Sequence, residues 1–130
     1  MLKLKIRMMA VILFAVFFSG CEPAYPAVIQ TASFYTHEST IKEGNSGITA
    51  SGQRMDDTKF TAAMWGVPFG SKVKVTSLNN GRSINVTVND RGPAKRLVKK
   101  GRVLDLSLRA FESISPLSAG VIPVRIEVLS

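Results

Sequence analysis

Two alternating runs joined by a turn constrain this chain more than any other feature. Residues 72–76 read Lys-Val-Lys-Val-Thr and residues 83–89 read Ser-Ile-Asn-Val-Thr-Val-Asn. Ile84, Val86 and Val88 fall on one face, which is the period-2 pattern of a half-buried strand. Between the runs, Asn79-Asn80-Gly81 is a strong hairpin signal, because tight turns need residues that tolerate positive φ. The alternation stops at Asp90-Arg91-Gly92-Pro93. Pro93 has no N–H to give to a sheet, and Gly92 permits a sharp turn. Asp90 therefore stands where a rigid strand meets a loop, held firmly yet able to reach a ligand. The position equally suits an Asp that only bonds its own backbone in the turn, and the local sequence leaves both readings open.

The flanking segments extend the pattern. Residues 28–35, with Val28, Ile29, Phe34 and Tyr35, read as a strand. Residues 36–52 are polar and contain Gly44, Gly47 and Gly52, so a long loop is expected there. A short helix is expected over residues 55–64, with Asp56 or Asp57 as N-cap and Phe60, Ala63 and Met64 facing inward. Residues 94–102 form a basic loop carrying Lys95, Arg96, Lys99, Lys100 and Arg102. It suits either a solvated mobile loop or a clamp for an acidic polymer. Residues 103–106 make a short apolar strand broken by Asp105. Ser107 caps a helix over residues 108–114, and Ser115-Pro116 stops it. Residues 121–129 alternate again and form the last strand. Many short strands, one or two short helices and no repeated βα units argue for a small closed or nearly closed β-barrel.

The start of the chain is of another kind. Lys3, Lys5 and Arg7 precede an unbroken apolar run over residues 8–18, too short for a bilayer span of about 20 residues. That combination reads as a secretory signal. It closes on Phe18-Ser19-Gly20-Cys21, which resembles the lipobox of bacterial lipoproteins, with Phe18 where Leu is usual. The expected division is a signal peptide over residues 1–20, a Pro-containing tether over 21–27 and one domain over 28–130. Cys21 would then be acylated and would tie the chain to a lipid bilayer. The alternative is an ordinary cleaved signal with an incidental thiol. Glu22 after Cys21 is not the Asp associated with inner-membrane retention, which leans toward an outer-membrane anchor facing the periplasm.

Charge and composition exclude several classes. Loss of residues 1–20 leaves 14 basic against 9 acidic side chains, a balance that suits acidic partners such as anionic lipid or peptidoglycan carboxylates. Nucleic acid is not expected for an exported chain without a basic stripe interleaved with aromatics. With the single cysteine acylated, no disulfide, thiol catalysis or cysteine metal site remains. One histidine and scattered carboxylates are too few for a metal centre, and no cofactor is implied. A monomer is expected.

Several stretches then align, in order, with one family. Ala32-Ser33-Phe34-Tyr35 resembles its opening Ala-Ser-Trp/Tyr-Tyr, and Thr49-Ala50-Ser51-Gly52-Gln53 its Thr-Ala-Ser/Asn-Gly-Glu. Thr61-Ala62-Ala63, followed by Pro68-Phe69-Gly70-Ser71, resembles Thr-Ala-Ala-His with a following Leu-Pro-Phe-Gly-Thr. Asn79-Asn80-Gly81-Arg82-Ser83, Val88-Asn89-Asp90-Arg91-Gly92-Pro93 and Gly101-Arg102-Val103-Leu104-Asp105-Leu106-Ser107 complete the series. Over residues 32–114 the chain resembles the rare-lipoprotein-A (RlpA) family.

The resemblance implies a mainly β fold, a six-stranded double-psi β-barrel with one or two short helices, shared with barwin and the first domain of expansins. It also implies peptidoglycan glycan strands as the partner. Active members are lytic transglycosylases, which cut the MurNAc–GlcNAc bond without water and leave a 1,6-anhydro-MurNAc end. One carboxyl group suffices for that reaction. It protonates the leaving oxygen and then takes the proton of the C6 hydroxyl as that oxygen closes on C1. Asp90 stands at the family's catalytic Asp position. Arg91, Gln53, Trp65, Tyr35 and Asp105 are the candidate substrate contacts, Trp65 as a stacking platform or a rim aromatic, Asp105 as a second negative charge or a loop-bonding residue.

Two positions depart from the family. Its Thr-Ala-Ala-His histidine is Met64 here, and its Gly-Glu carboxylate is Gln53; neither carries a proton at neutral pH. His37 and Glu38, in the first polar stretch, either substitute for them or form an exposed loop pair. Many members also carry a C-terminal glycan-binding module after the barrel, where this sequence stops at Ser130, which leaves septal targeting open. Three readings follow: a lipid-anchored transglycosylase, a barrel that binds peptidoglycan without cutting it, and a structural envelope lipoprotein.

Overall fold

The computed structural model describes residues 29–130; the signal segment, Cys21 and the tether lie outside the described residues. The strands are β1 (Thr31–Tyr35), β2 (Thr61–Met64), β3 (Lys72–Ser77), β4 (Ser83–Asp90), β5 (Arg102–Ser107) and β6 (Ile122–Val128). They close into a barrel in the order β1-β5-β2-β4-β3-β6. The β1/β5 and β2/β4 pairs are parallel and the remaining four are antiparallel. This is the expected six-stranded double-psi barrel. Closure leaves no open sheet edge.

The alternating runs do what their pattern requires. Val73, Val75, Val86, Val88, Leu104 and Leu106 point inward and are buried. The β3–β4 hairpin pairs Val73 with Val86 and Val75 with Ile84, and Gly81 takes φ +76° in its turn. The helix α3 (Leu108–Glu112) closes one end of the core. Ser107 caps it by accepting the Ala110 N–H. Phe111, fully buried, packs against Phe34 with ring centroids 4.9 Å apart. Burying a side chain of this size contributes about 1.5–3 kcal/mol.

Three expectations are corrected. The stretch over residues 36–52 is not all loop: it opens with α1 (His37–Lys42), which Thr36 and Ser39 start with a reciprocal capping box. A Ser at the fourth position of the box replaces the usual Glu or Gln, which hid the signal. The stretch over residues 55–64 is not a helix. Its end is strand β2, and Asp56 closes a local turn on the N–H and hydroxyl of Thr58. Cap-type residues serve turns equally well, and β2 takes small Ala62 and Ala63 because it is pressed between β4 and β5. Phe60, expected inside, is exposed. Finally, the basic stretch over residues 94–102 contains a helical turn, α2 (Lys95–Val98), rather than only a loop.

Candidate functional site

One bulge decides where Asp90 points. Val86 and Val88 face the core, so strict alternation would carry Asp90 inward as well. Instead the β2/β4 register shifts, pairing Ala62 with Val88 and Ala63 with Asp90. Asn89 is the extra residue, and Asp90 is turned to the outer face. Such bulges re-aim a side chain at the cost of one ladder position. Ala63 also pairs with Asp105 on β5, and Asp105 with Ser33 on β1. A row Asp90, Ala63, Asp105, Ser33 thus crosses four neighbouring strands on the outer face.

Asp90 is half-buried and lines a groove of about 290 Å³ with Tyr35, Thr40, Asn45, Gly47, Thr49 and Arg91. Its Oδ1 accepts the Ala50 N–H at 3.1 Å and the Arg91 N–H at 2.9 Å. Asp90 thus bonds its own turn, as one of its two readings expects, and is also held by a backbone donor forty residues away in sequence. Oδ2 has no hydrogen-bond partner among the described residues.

Tyr35 enters the same groove from the end of β1. Its hydroxyl is buried and has no partner among the described residues. Burial, and then the negative charges of Asp90, Asp105 and Asp57, hold its proton on well above the ordinary phenol range. Asp105 lies across the row and is tied to Arg102, whose NH2 and Nε stand 2.9 and 3.3 Å from Oδ1. Burial pushes its carboxyl up; the Arg102 bond and charge oppose this, while the charges of Glu43 and Asp90 add to it.

The other expected residues are less convergent. Arg91 lines the groove but is exposed. Gln53 accepts the Asn89 Nδ2–H at 3.2 Å and lines a separate cleft of about 520 Å³ with Arg54, Asp56, Phe60, Thr61 and Thr87. Trp65 is exposed and is not among the residues that line the Asp90 groove; its Nε1–H donates to the Pro93 carbonyl at 2.8 Å, and Lys95 Nζ lies 5.2 Å from the ring centroid. Gly92, at φ +121°, lets this ring close down: a Cβ there would stand 2.9 Å from Trp65 Cδ1. Met64 packs against the core, as filler would.

Glu38 is exposed and paired with Lys42 at 2.9 Å on α1, pointing to the bland reading of that pair. His37 is closer: its ring lies against Gly47, which lines the Asp90 groove. Sequence reasoning missed Thr40, Asn45 and the Ala50 N–H. The Thr-Ala-Ser-Gly motif marked the last, but a backbone donor leaves no signature in residue identity. Among the described residues no group of His, Cys, Asp or Glu could hold a metal, and no helix is long and apolar enough to cross a membrane.

The family model described as lytic transglycolase matches residues 28–126. A probable endolytic peptidoglycan transglycosylase RlpA of Nostoc sp. is 49% identical over 81 residues, covering 62% of this chain and 21% of that protein. One from Synechocystis sp. is 40% identical over 126 residues, covering 85% of this chain and 38% of that protein. The endolytic peptidoglycan transglycosylase RlpA of Pasteurella multocida is 42% identical, covering 75% of this chain and 30% of that protein. The chain thus spans well under half the length of these curated relatives. Among solved structures, the Streptomyces papain inhibitor matches with TM-score 0.54 and 26% identity over 75% of this chain and 91% of its own. An expansin of Clavibacter michiganensis, solved with cellohexaose, matches in fold with TM-score 0.51 and 18% identity over 79% of this chain and 50% of its own. On its closed six-stranded barrel, its ordered motifs and a family match across residues 28–126, this chain belongs to the lytic transglycolase family of RlpA-like double-psi β-barrels.

Proposed function

We propose that the Asp90 groove binds peptidoglycan glycan strands and cleaves the MurNAc–GlcNAc bond, leaving a 1,6-anhydro-MurNAc end. One observation carries this reading. Asp90 is fixed through Oδ1 by two backbone N–H groups and lines a groove together with Tyr35, whose buried hydroxyl has no partner among the described residues. Protonated Asp90 gives its proton to the glycosidic oxygen as the C1–O bond breaks and its electron pair leaves with GlcNAc. The C6 oxygen then closes on C1, and its proton returns to Asp90, so the carboxyl is restored and no water is consumed. Tyr35 donates to a sugar oxygen and orients the ring. Asp105 supplies the second negative charge that favours the cationic transition state. Arg91 hydrogen-bonds sugar hydroxyls in the groove, Gln53 does so where the strand reaches the neighbouring cleft that it lines, and exposed Trp65 packs a sugar ring.

The reading extends to the whole chain. Cys21 is acylated after removal of residues 1–20, and the monomeric barrel faces the periplasm from a lipid anchor, the outer membrane being favoured by Glu22. A second reading, binding without cleavage, is favoured by specific observations: Met64 is core filler, Gln53 lies in another cleft, and no titratable side chain hydrogen-bonds Asp90 among the described residues.

The test is a digest of intact and of peptide-stripped peptidoglycan by the full chain in detergent, with product analysis by mass spectrometry. Anhydro-MurNAc ends from the wild type and none from Asp90→Asn are expected. No products from the wild type, while it still pellets with the polymer, would leave the binding reading. Cys21→Ala appearing in the soluble fraction, without the mass of added acyl chains, is the expected outcome for the anchor.

A further inference from the structure

The bulge that turns Asp90 outward also decides where its neighbour goes. Successive side chains of a regular strand point to opposite faces, so in an unbroken ladder Asn89 and Asp90 would not reach the same turn. With the β2/β4 register shifted beside Ala63, both do. Asp90 Oδ1 accepts the Ala50 N–H at 3.1 Å, and Asn89 Nδ2–H donates to Gln53 Oε1 at 3.2 Å. Between these two bonds, the Ser51 N–H donates to the Asn89 carbonyl at 3.3 Å.

The turn they grip is closed on itself. The Thr49 N–H donates to the Gln53 carbonyl at 2.8 Å, and the Gly52 N–H to the Thr49 carbonyl at 2.9 Å. Ile48 bridges Arg54, the Thr49 and Ser51 hydroxyls bond at 2.8 Å, and Gly52 takes φ +90°. With its ends tied together, the turn over residues 49–53 shifts as a unit, so a hold on Gln53 is a hold on Ala50. Ala50 and Gln53 are themselves exposed, and packing does little to fix them; hydrogen bonds to β4 must. Asn89 is suited to that task. It is 5% exposed, and its one side-chain hydrogen bond among the described residues is the bond to Gln53, its Oδ1 having no partner there.

We propose that Asn89 is a positioning residue for Asp90: through Gln53 it holds the 49–53 turn in place, and the Ala50 N–H of that turn fixes the carboxylate. The inference rests on the cleavage reading above and adds a residue to it. Asn89 touches no reacting atom. Its contribution is orientation, and a small displacement of a reacting group costs rate rather than affinity. A carboxylate at position 53 would accept the same Nδ2–H, so Gln53 keeps the hold that the family's Glu would give.

The experiment uses the full chain in detergent. Amide hydrogen exchange is read by NMR at Ala50 and, as a control, at Val75 in the buried part of the β3–β4 hairpin. In parallel, kcat and KM are measured for release of anhydro-MurNAc ends from peptide-stripped peptidoglycan. Asn89→Leu removes the donor at similar size, Gln53→Met removes the acceptor at an exposed position, and Gln53→Glu keeps the acceptor. Exchange at Ala50 should rise about tenfold in Asn89→Leu and Gln53→Met with Val75 unchanged, and should keep the wild-type rate in Gln53→Glu. In Asn89→Leu, kcat should fall about tenfold with KM within about twofold. If Asn89→Leu loosens the whole barrel, Gln53→Met decides by the same exchange readings. Ala50 exchange unchanged in both variants, or rising together with Val75 in both, overturns the inference. Faster Ala50 exchange with kcat retained in Asn89→Leu overturns it while leaving the cleavage reading standing. A raised KM with kcat unchanged would make Asn89 a substrate contact and overturns it likewise. A wild type that releases no anhydro-MurNAc ends overturns the cleavage reading and this inference with it.

Discussion

Two clefts draw on the same segment and have no lining residue in common: Thr49, Ala50 and Met55 line one, and Gln53, Arg54 and Asp56 the other. The larger, about 520 Å³, has exposed Phe60 as an aromatic side with Arg109 5.7 Å from its ring centroid, and Gln53, Asn89, Thr61 and Thr87 as polar sides. Its carboxylate, Asp56, bonds the Thr58 hydroxyl and N–H, and those bonds hold it below the ordinary range. The smaller, about 290 Å³, holds Asp90 with one oxygen unpartnered among the described residues and Tyr35 with its proton held on. Volume and titratable lining are separate properties: the larger cleft has the room, whereas Asp90 and Tyr35 lie in the smaller.

That contrast can be broken most directly at the two carboxylates. Asp90→Asn should lower release of anhydro-MurNAc ends by about 10²–10⁴-fold with little change in pelleting, whereas Asp56→Asn should stay within about twofold. The reverse order would move the chemistry to the larger cleft. Next in size is Gly92→Ala. A Cβ there meets Trp65 and Met64 backbone at 3.0–3.1 Å, on a φ that L-residues rarely adopt, so a loss of about 1–3 kcal/mol is expected in thermal or urea unfolding. An unchanged midpoint would show that Trp65 yields freely.

Tyr35→Phe sharpens the account of the smaller groove. It removes a buried hydroxyl without a partner, so the free protein should gain about 1 kcal/mol while turnover falls by about tenfold. A variant less stable than wild type would show that the hydroxyl has a partner. Asp105→Asn gives a smaller, pH-dependent effect. Burial raises this carboxyl in the folded state, so its contribution to stability is full below the ordinary carboxylate range and is lost as pH rises through its raised value. The Asn variant should therefore gain on wild type as pH rises through that window, and a difference that is flat with pH would remove the burial argument. Smallest of all, Phe60→Ala in the larger cleft should change cleavage by less than about twofold.

Much of the frame was legible from period-2 alternation. The β3–β4 hairpin, the Ser107-capped helix and the last strand lie close to where their residues place them, since a strand pattern beside a turn signal has few alternatives. The segments that were misread share a cause. In α1 and around Asp56, short polar residues serve caps and turns alike, and β2 is so short and alanine-rich that only its neighbours β4 and β5 make it a strand. At the site, Asp90 was legible because the strand ends on it. The Ala50 donor was not, because it is main chain. Gln53 and Asp90 are both in quoted motifs, yet they line different clefts.

The sequence by itself determined that a strand ends at Asp90 and that Gly92-Pro93 follows it, which are matters of residue type and local sterics; that Met64 and Gln53 are departures is what the family resemblance implies. The direction of Asp90 was decided elsewhere. Alternation alone sends it into the core with Val86 and Val88, and only the bulge against β2 turns it outward to face Tyr35. Register between strands distant in sequence depends on the closed barrel as a whole, so the outward aim of this carboxylate is a property of the tertiary structure.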